Sequence, residues 1–337
     1  MRRVPSLLVF VLLVASPRLG TAQGSPEQGS ADQAENRFEA HWVEGEESAA
    51  LAALRLAEEE MFRQVSQPLV ARASVSVGIP ASATSAATHR TDHPAAVGTP
   101  RWLEGLTLPD LPVRFHDRVV RYLEYFRDSR RGQSLKRAWL RRSSRYGGMI
   151  TQTLEARGLP RDLRCVAMAE SGFDPTVRSH RGALGMWQFV PRTGREYDLN
   201  SNRWFDERMD PIKSTDAAAR MLGDLHRRFG SWELALAAYN MGYGALLRAI
   251  RKYNTNDYWV LADLEAGLPF ETTIYVAKIM ACSVVMRNTE TFGFGELTRD
   301  PPLEVEPFHV GGGTTLRQIA SAASTSVGEI SALNPEL

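Results

Sequence analysis

The chain has 337 residues, 43% hydrophobic and 23% charged, which is enough for a folded core and for one large or two ordinary domains. Forty Lys and Arg stand against 39 Asp and Glu, a formal charge of +1, and this argues against a nucleic-acid binder that relies on bulk positive charge. Two cysteines exclude a disulfide scaffold and a zinc site built from four cysteines.

Residues 1–22 read as a secretory signal peptide: Arg2 and Arg3, an apolar run from Leu7 to Ala15, then Gly20-Thr21-Ala22 before a polar tract. The run is short for a membrane span. No Cys lies near the cleavage site to carry a lipid. The expectation is therefore an exported protein of the periplasm or cell envelope, soluble rather than lipid-anchored. Residues 23–73 follow as an N-terminal helical segment. Its stripe Leu51, Leu54, Ala57, Glu58 has helical spacing but is only partly apolar, which fits a loose helix or a docking arm. Residues 74–100, rich in Ala, Ser, Thr and Pro, are expected to be a disordered linker, because such a tract buries too little surface to offset its chain entropy.

Helical periodicity resumes from Phe115 to Trp139, with Val119, Tyr122, Leu123 and Phe126 on one face. Arg114 to Arg164 holds fourteen Arg or Lys against five Asp or Glu. This block is either a solvated helix surface or a face for an anionic polymer. Short helices are expected at Gly148–Arg157, Leu163–Glu170, Thr215–Phe229, Trp232–Tyr239 and Tyr275–Arg287, joined by Gly, Pro, Asn and Asp, with no convincing strand among them. The fold class is all-α over 101–300, followed by a short α+β tail over 304–337.

Within the second of these helices, Leu163, Val166, Ala167 and Glu170 share one face, and Gly172 and Pro175 end it. Glu170 thus projects from the end of an apolar stripe, at the negative pole of the helix. Desolvation and that pole both raise a carboxyl pKa, as a general acid requires. A Glu rotated into solvent is the other reading of the same spacing. Farther on, Gly182 and Gly185 permit close backbone approach, Trp187 offers a flat apolar face and Gln188 an amide. That mixture suits a sugar, and it equally suits a tight turn around a core Trp. In Ala238-Tyr239-Asn240 the phenol can bond a carboxyl group and Asn240 an acetamido group; alternatively this is a helix end capped by Gly242.

Five strings stand in order: Glu170-Ser171-Gly172-Phe173-Asp174-Pro175, Gly185-Met186-Trp187-Gln188-Phe189, Trp204-Phe205-Asp206-Glu207-Arg208, Ala238-Tyr239-Asn240-Met241-Gly242, and Leu268-Pro269-Phe270-Glu271-Thr272 through Tyr275-Val276. Together they resemble the lytic transglycosylases with the soluble-lytic-transglycosylase-type domain, of the membrane-bound lytic murein transglycosylase D type, over roughly 110–295. The resemblance implies a lysozyme-like helical fold acting on peptidoglycan glycan strands, without cofactor or metal. It implies Glu170 as the single catalytic acid and base, and Ser171, Gly185, Met186, Gln188, Tyr239, Asn240, Glu271 and Tyr275 as substrate-binding positions. Gln188 would face the sugar and Tyr239 would hold the acid. Cleavage of the MurNAc–GlcNAc β-1,4 bond would then yield a 1,6-anhydromuramoyl end. A muramidase-type hydrolase and a non-catalytic peptidoglycan scaffold are the alternatives. Asp174 reads as a turn residue and Asp206 as structural, and the seven His show no ligand spacing. Cys165 and Cys282 are either a bridge allowed by an oxidising compartment or two small buried hydrophobes.

The tail, from Phe308-His309-Val310 through Thr314–Ala320 to Leu333-Asn334-Pro335, resembles the βααβ lysin motif. Gly311-Gly312-Gly313 replaces its usual turn, and Leu337 precedes any second strand. A glycan-binding module and a structural cap on the helical domain are both open readings.

Overall fold

The computed structural model describes residues 10–15, 54–62, 100–264 and 266–337. The linker expected over 74–100 lies outside them except for Pro100, as does most of the leader and of the 23–73 segment.

The helical expectation holds. A helix over 54–62 (α1) precedes α2 (Asp117–Asp128), α3 (Arg130–Ala156), α4 (Arg164–Ser171), α5 (Pro191–Glu196), α6 (Pro211–Phe229), α7 (Trp232–Met241), α8 (Tyr243–Tyr253), α9 (Tyr258–Asp263) and α10 (Phe270–Arg287). One hydrophobic core runs through them, from Leu54 and Phe62 of α1 to Phe292 and Phe294 beyond α10. The docking alternative is therefore the one observed for 54–62.

Several helix boundaries differ from expectation, α6 and α10 starting four and five residues early. The stretch expected as one helix over Phe115–Trp139 breaks at Ser129, whose extended backbone and side chain cap α3 through the Gly132 N–H. Gly132 permits this tight joint, since a Cβ there would meet the Tyr125 carbonyl oxygen at 2.2 Å. Helix α3 then continues to Ala156 through Gly147-Gly148, because burial of Leu140, Tyr146, Ile150 and Leu154 outweighs the low helix propensity of glycine. Helices α5, α8 and α9 have no counterpart in the periodicity reading.

The basic block is largely absorbed by pairing. Arg118 meets Asp263, Arg142 meets Asp174, Arg157 meets Asp216 and Arg161 meets Asp110. Lys136 is fully buried, with Nζ 3.2 Å from Met168 Sδ and 4.7 Å from the centre of the Phe126 ring. Cys165 and Cys282 are buried free thiols, and Cys165 Sγ lies 3.5 Å from Met286 Sδ.

The tail forms β2 (Val305–Val310), α11 (Leu316–Ala322) and α12 (Val327–Leu333), around a small core of Ile319, Ala320 and Ile330. Strand β2 pairs antiparallel with a strand over Phe10–Ala15 (β1), in register from Phe10 opposite Val310 to Ala15 opposite Val305. The apolar run read as part of the leader thus occupies an open strand edge. The tail also docks on the helical domain, where the Asp206 N–H donates to the Glu336 carbonyl at 2.8 Å and the Glu336 side chain is buried. Among the described residues no helix is long and apolar enough to cross a membrane.

Candidate active site

Helices α4 and α10 run antiparallel and are joined at both ends. Asp162, fully buried ahead of α4, accepts from Arg287 at the end of α10, with Nη2 at 2.7 Å and Nε at 2.8 Å. At the opposite ends, the Tyr275 hydroxyl donates to Glu170 Oε1 at 2.6 Å. The apolar face of α4, with Leu163, Val166 and Ala167 fully buried, fixes the rotation that carries Glu170 to this meeting point. Glu170 is half-buried there, and its pKa is pushed up to about 7. Loss of hydration is the main cause. The Tyr275 bond and the Lys278 charge oppose it, and the Glu271 charge adds to it.

The end of α4 is shaped by Gly172, in the left-handed region with φ 66°. A Cβ there would lie 2.7 Å from the Trp139 indole nitrogen, so both the backbone angle and the space require glycine. Phe173 follows, also left-handed, at φ 68°.

Most of the other expected substrate-binding residues hold one another. Ser171 is fully buried; its hydroxyl donates to the Met186 carbonyl at 2.9 Å and accepts from the Asp174 N–H at 3.1 Å. Met186 is fully buried as well. Both side chains are buried in this structure. Gly185, at φ 86°, serves approach by the chain itself, since a Cβ would meet the Arg208 carbonyl oxygen at 1.9 Å. Trp187 is a core residue whose Nε1 donates to Thr215 Oγ1 at 2.9 Å, so it offers no open face. The amide nitrogen of Gln188 donates to the carbonyls of Val177 and Gly185, both at 2.9 Å.

Tyr239 bonds the loop in this structure. Its hydroxyl donates to the Trp187 carbonyl at 2.8 Å, and Tyr275 has the place beside the acid. Asn240 accepts from the Thr272 hydroxyl at 2.7 Å. Glu271 is exposed on the first turn of α10. Asp174 accepts from the Thr176 N–H at 2.8 Å and the Thr176 hydroxyl at 2.7 Å, an Asx turn. Asp206 pairs with Arg208, whose Nη1 reaches the carbonyls of Gly182 and Phe189 at 2.9 and 3.0 Å. The strings around 185, 206 and 239 therefore brace one loop, 182–189, against the end of α4.

Periodicity did not identify Lys278 or Arg55, whose charges both reach Glu170. A signal for Lys278 existed: it follows Tyr275 by three residues and so shares its helix face.

Residues 149–262 match the Transglycosylase SLT domain family. The chain is 33% identical over 198 residues to membrane-bound lytic murein transglycosylase D of Escherichia coli K12, covering 57% of this chain and 43% of that protein. It is 30% identical over 172 residues to a putative tributyltin chloride resistance protein of Alteromonas, covering 50% of this chain and 82% of that protein. The chain thus spans less than half the length of the first of these relatives. A crystal structure of the 70 kDa soluble lytic transglycosylase of Escherichia coli aligns with a TM-score of 0.36 at 23% identity, over 43% of this chain and 24% of that one. Through its match over 149–262 and its likeness to these two relatives, the chain belongs to the transglycosylase SLT domain family.

Proposed function

We propose that this protein is an exported lytic transglycosylase of the cell envelope that cleaves the MurNAc–GlcNAc β-1,4 bond of peptidoglycan without consuming water. The observation that carries the reading is Glu170: a half-buried carboxyl with a pKa pushed up to about 7, held by Tyr275. Asp174 and Asp206 are engaged in a turn and an arginine pair, so neither is a ready partner for a two-carboxylate hydrolase.

Glu170 protonates the glycosidic oxygen as the bond to the anomeric carbon breaks. The substrate's 2-acetamido oxygen stabilises the cationic carbon. The Glu170 carboxylate then takes the proton of the muramoyl 6-hydroxyl, whose oxygen closes on the anomeric carbon to give the 1,6-anhydro product. The tethered hydroxyl has the high effective concentration of an intramolecular nucleophile. Tyr275 stabilises the carboxylate midway, Asn240 has amide donors for an acetamido carbonyl, and Glu271 lines the entrance.

A hydrolase remains the second reading, because Glu271 is close enough for its charge to reach Glu170. Mass spectrometry of digested peptidoglycan separates them. Anhydro products are lighter than hydrolytic ones by one water, and reducing-end products, together with activity lost in E271Q, overturn the transglycosylase reading. Activity surviving in E170Q removes the acid assignment under either.

A further inference from the structure

Helix α1 lies far outside the region matched by the family, yet its inner face is built into the same core. Leu54 and Phe62, 2% and 0% exposed, flank Glu58 at 4%. The three stand at i, i+4 and i+8, one stripe of a helix. Phe62 packs on Tyr122 with ring centres 5.3 Å apart. A carboxylate between two apolar anchors is tolerated only with partners. Glu58 Oε1 accepts from the Lys278 ammonium at 2.9 Å and from the Tyr122 hydroxyl at 2.8 Å. Lys278 is itself 9% exposed and lies one turn beyond Tyr275, the residue bonded to Glu170. A connected line therefore runs from α1 to the acid: Glu58, Lys278, the α10 backbone, Tyr275, Glu170.

We infer that Glu58 is a positioning residue of the Glu170 site, holding the Lys278 ammonium in a buried ion pair and so offsetting a positive charge that would otherwise favour the carboxylate over the acid. The inference rests on Glu170 being the catalytic acid. Among the described residues, Tyr275, Lys278 and Glu271 from α10 and Arg55 from α1 act on Glu170, whose own charge in turn reaches the neutral phenol of Tyr239 from α7. Lys278 and Arg55 favour the ionised form and Glu271 the neutral one. Glu58 is the carboxylate in contact with Lys278, so its removal exposes Glu170 to an unbalanced cation in a poorly solvated site.

The test uses the full chain and reads Glu170 directly, by carbon-13 NMR titration of its side-chain carboxyl, assigned with E170Q. The pH profile of peptidoglycan digestion is followed in parallel. E58Q is expected to lower the Glu170 titration by about one pH unit, K278M to raise it by a similar amount, and E58Q/K278M to return close to the native value. A purely structural role for the pair would change melting temperature without shifts of opposite sign. Shifts of the same sign, or none, overturn the inference. Should E58Q not fold, the comparison of K278M with E58Q/K278M decides, the double variant being expected to titrate at the lower pH. The NMR titration does not depend on turnover. Activity surviving in E170Q would remove the functional reading, while the shifts would still judge the electrostatic role of Glu58.

Discussion

The Tyr275 hydroxyl donates to Glu170 Oε1 at 2.6 Å and joins the end of α4 to the start of α10 across 105 residues of sequence. A hydrogen bond to the carboxylate stabilises the ionised form, so Y275F is expected to raise the Glu170 pKa further. The limb on which activity falls with rising pH should move up by about one pH unit, while the less well-oriented acid lowers the maximal rate on the order of tenfold or more. Y239F is the control. Its hydroxyl serves the Trp187 carbonyl, so it should cost about 1 kcal/mol of stability and leave the limb in place. Rate measurements across pH on both variants check this.

Glu170 should also shape stability against pH. Its folded pKa, about 7, lies above the ordinary value of 4.5, so the folded state binds more protons between the two. Its contribution to stability therefore falls as pH rises through that window, by on the order of 3 kcal/mol. E170Q lacks this loss. Denaturation at about pH 4 and about pH 8 should show the variant gaining on the native protein by that amount, and a constant difference would contradict the burial of the carboxyl.

The loop 182–189 permits a paired test of backbone space. At Gly185 a Cβ would sit 1.9 Å from the Arg208 carbonyl oxygen, at φ 86°; at Gly182, with φ 78°, nothing lies within 4 Å. G185A is expected to cost about 3 kcal/mol, from strain and overlap together. G182A should cost about 1 kcal/mol, from backbone conformation alone. Urea denaturation of the two measures the difference.

The other junction of α4 and α10 depends on a buried charge. Asp162 is fully buried, and Arg287 supplies two of its bonds. R287A should destabilise by roughly 3–5 kcal/mol, because it strands a carboxylate away from water. D162N/R287M should recover part of that loss. Thermal melts of both check the assignment.

The residues around Glu170 divide cleanly between what spacing reveals and what it hides. The stripe Leu163, Val166, Ala167, Glu170 with Gly172 behind it is local information, and it left Glu170 at a helix end either desolvated or turned to solvent, a choice that packing made. The tyrosine beside that acid was not legible, because Tyr239 and Tyr275 are both helix residues in family-like strings. Which hydroxyl reaches Glu170 depends on how α7 and α10 pack against α4. The same holds for Ser171, Met186 and Gln188: their motif is visible in one dimension, but their hydrogen bonds show them bracing a loop. Glu58 is the clearest case. Its partners Tyr122 and Lys278 lie far along the chain, and neither charge nor periodicity connects them.

The sequence by itself thus determined the helical class, the order of the five motifs and the place of Glu170 at a helix end, because side-chain periodicity and helix termination act over a few residues. The tertiary structure decided which groups surround that carboxyl, that α1 belongs to the same core, and that an apolar N-terminal strand fills the open edge of the tail. These are contacts between distant segments, fixed by the burial of apolar faces and by the need of buried polar groups for partners.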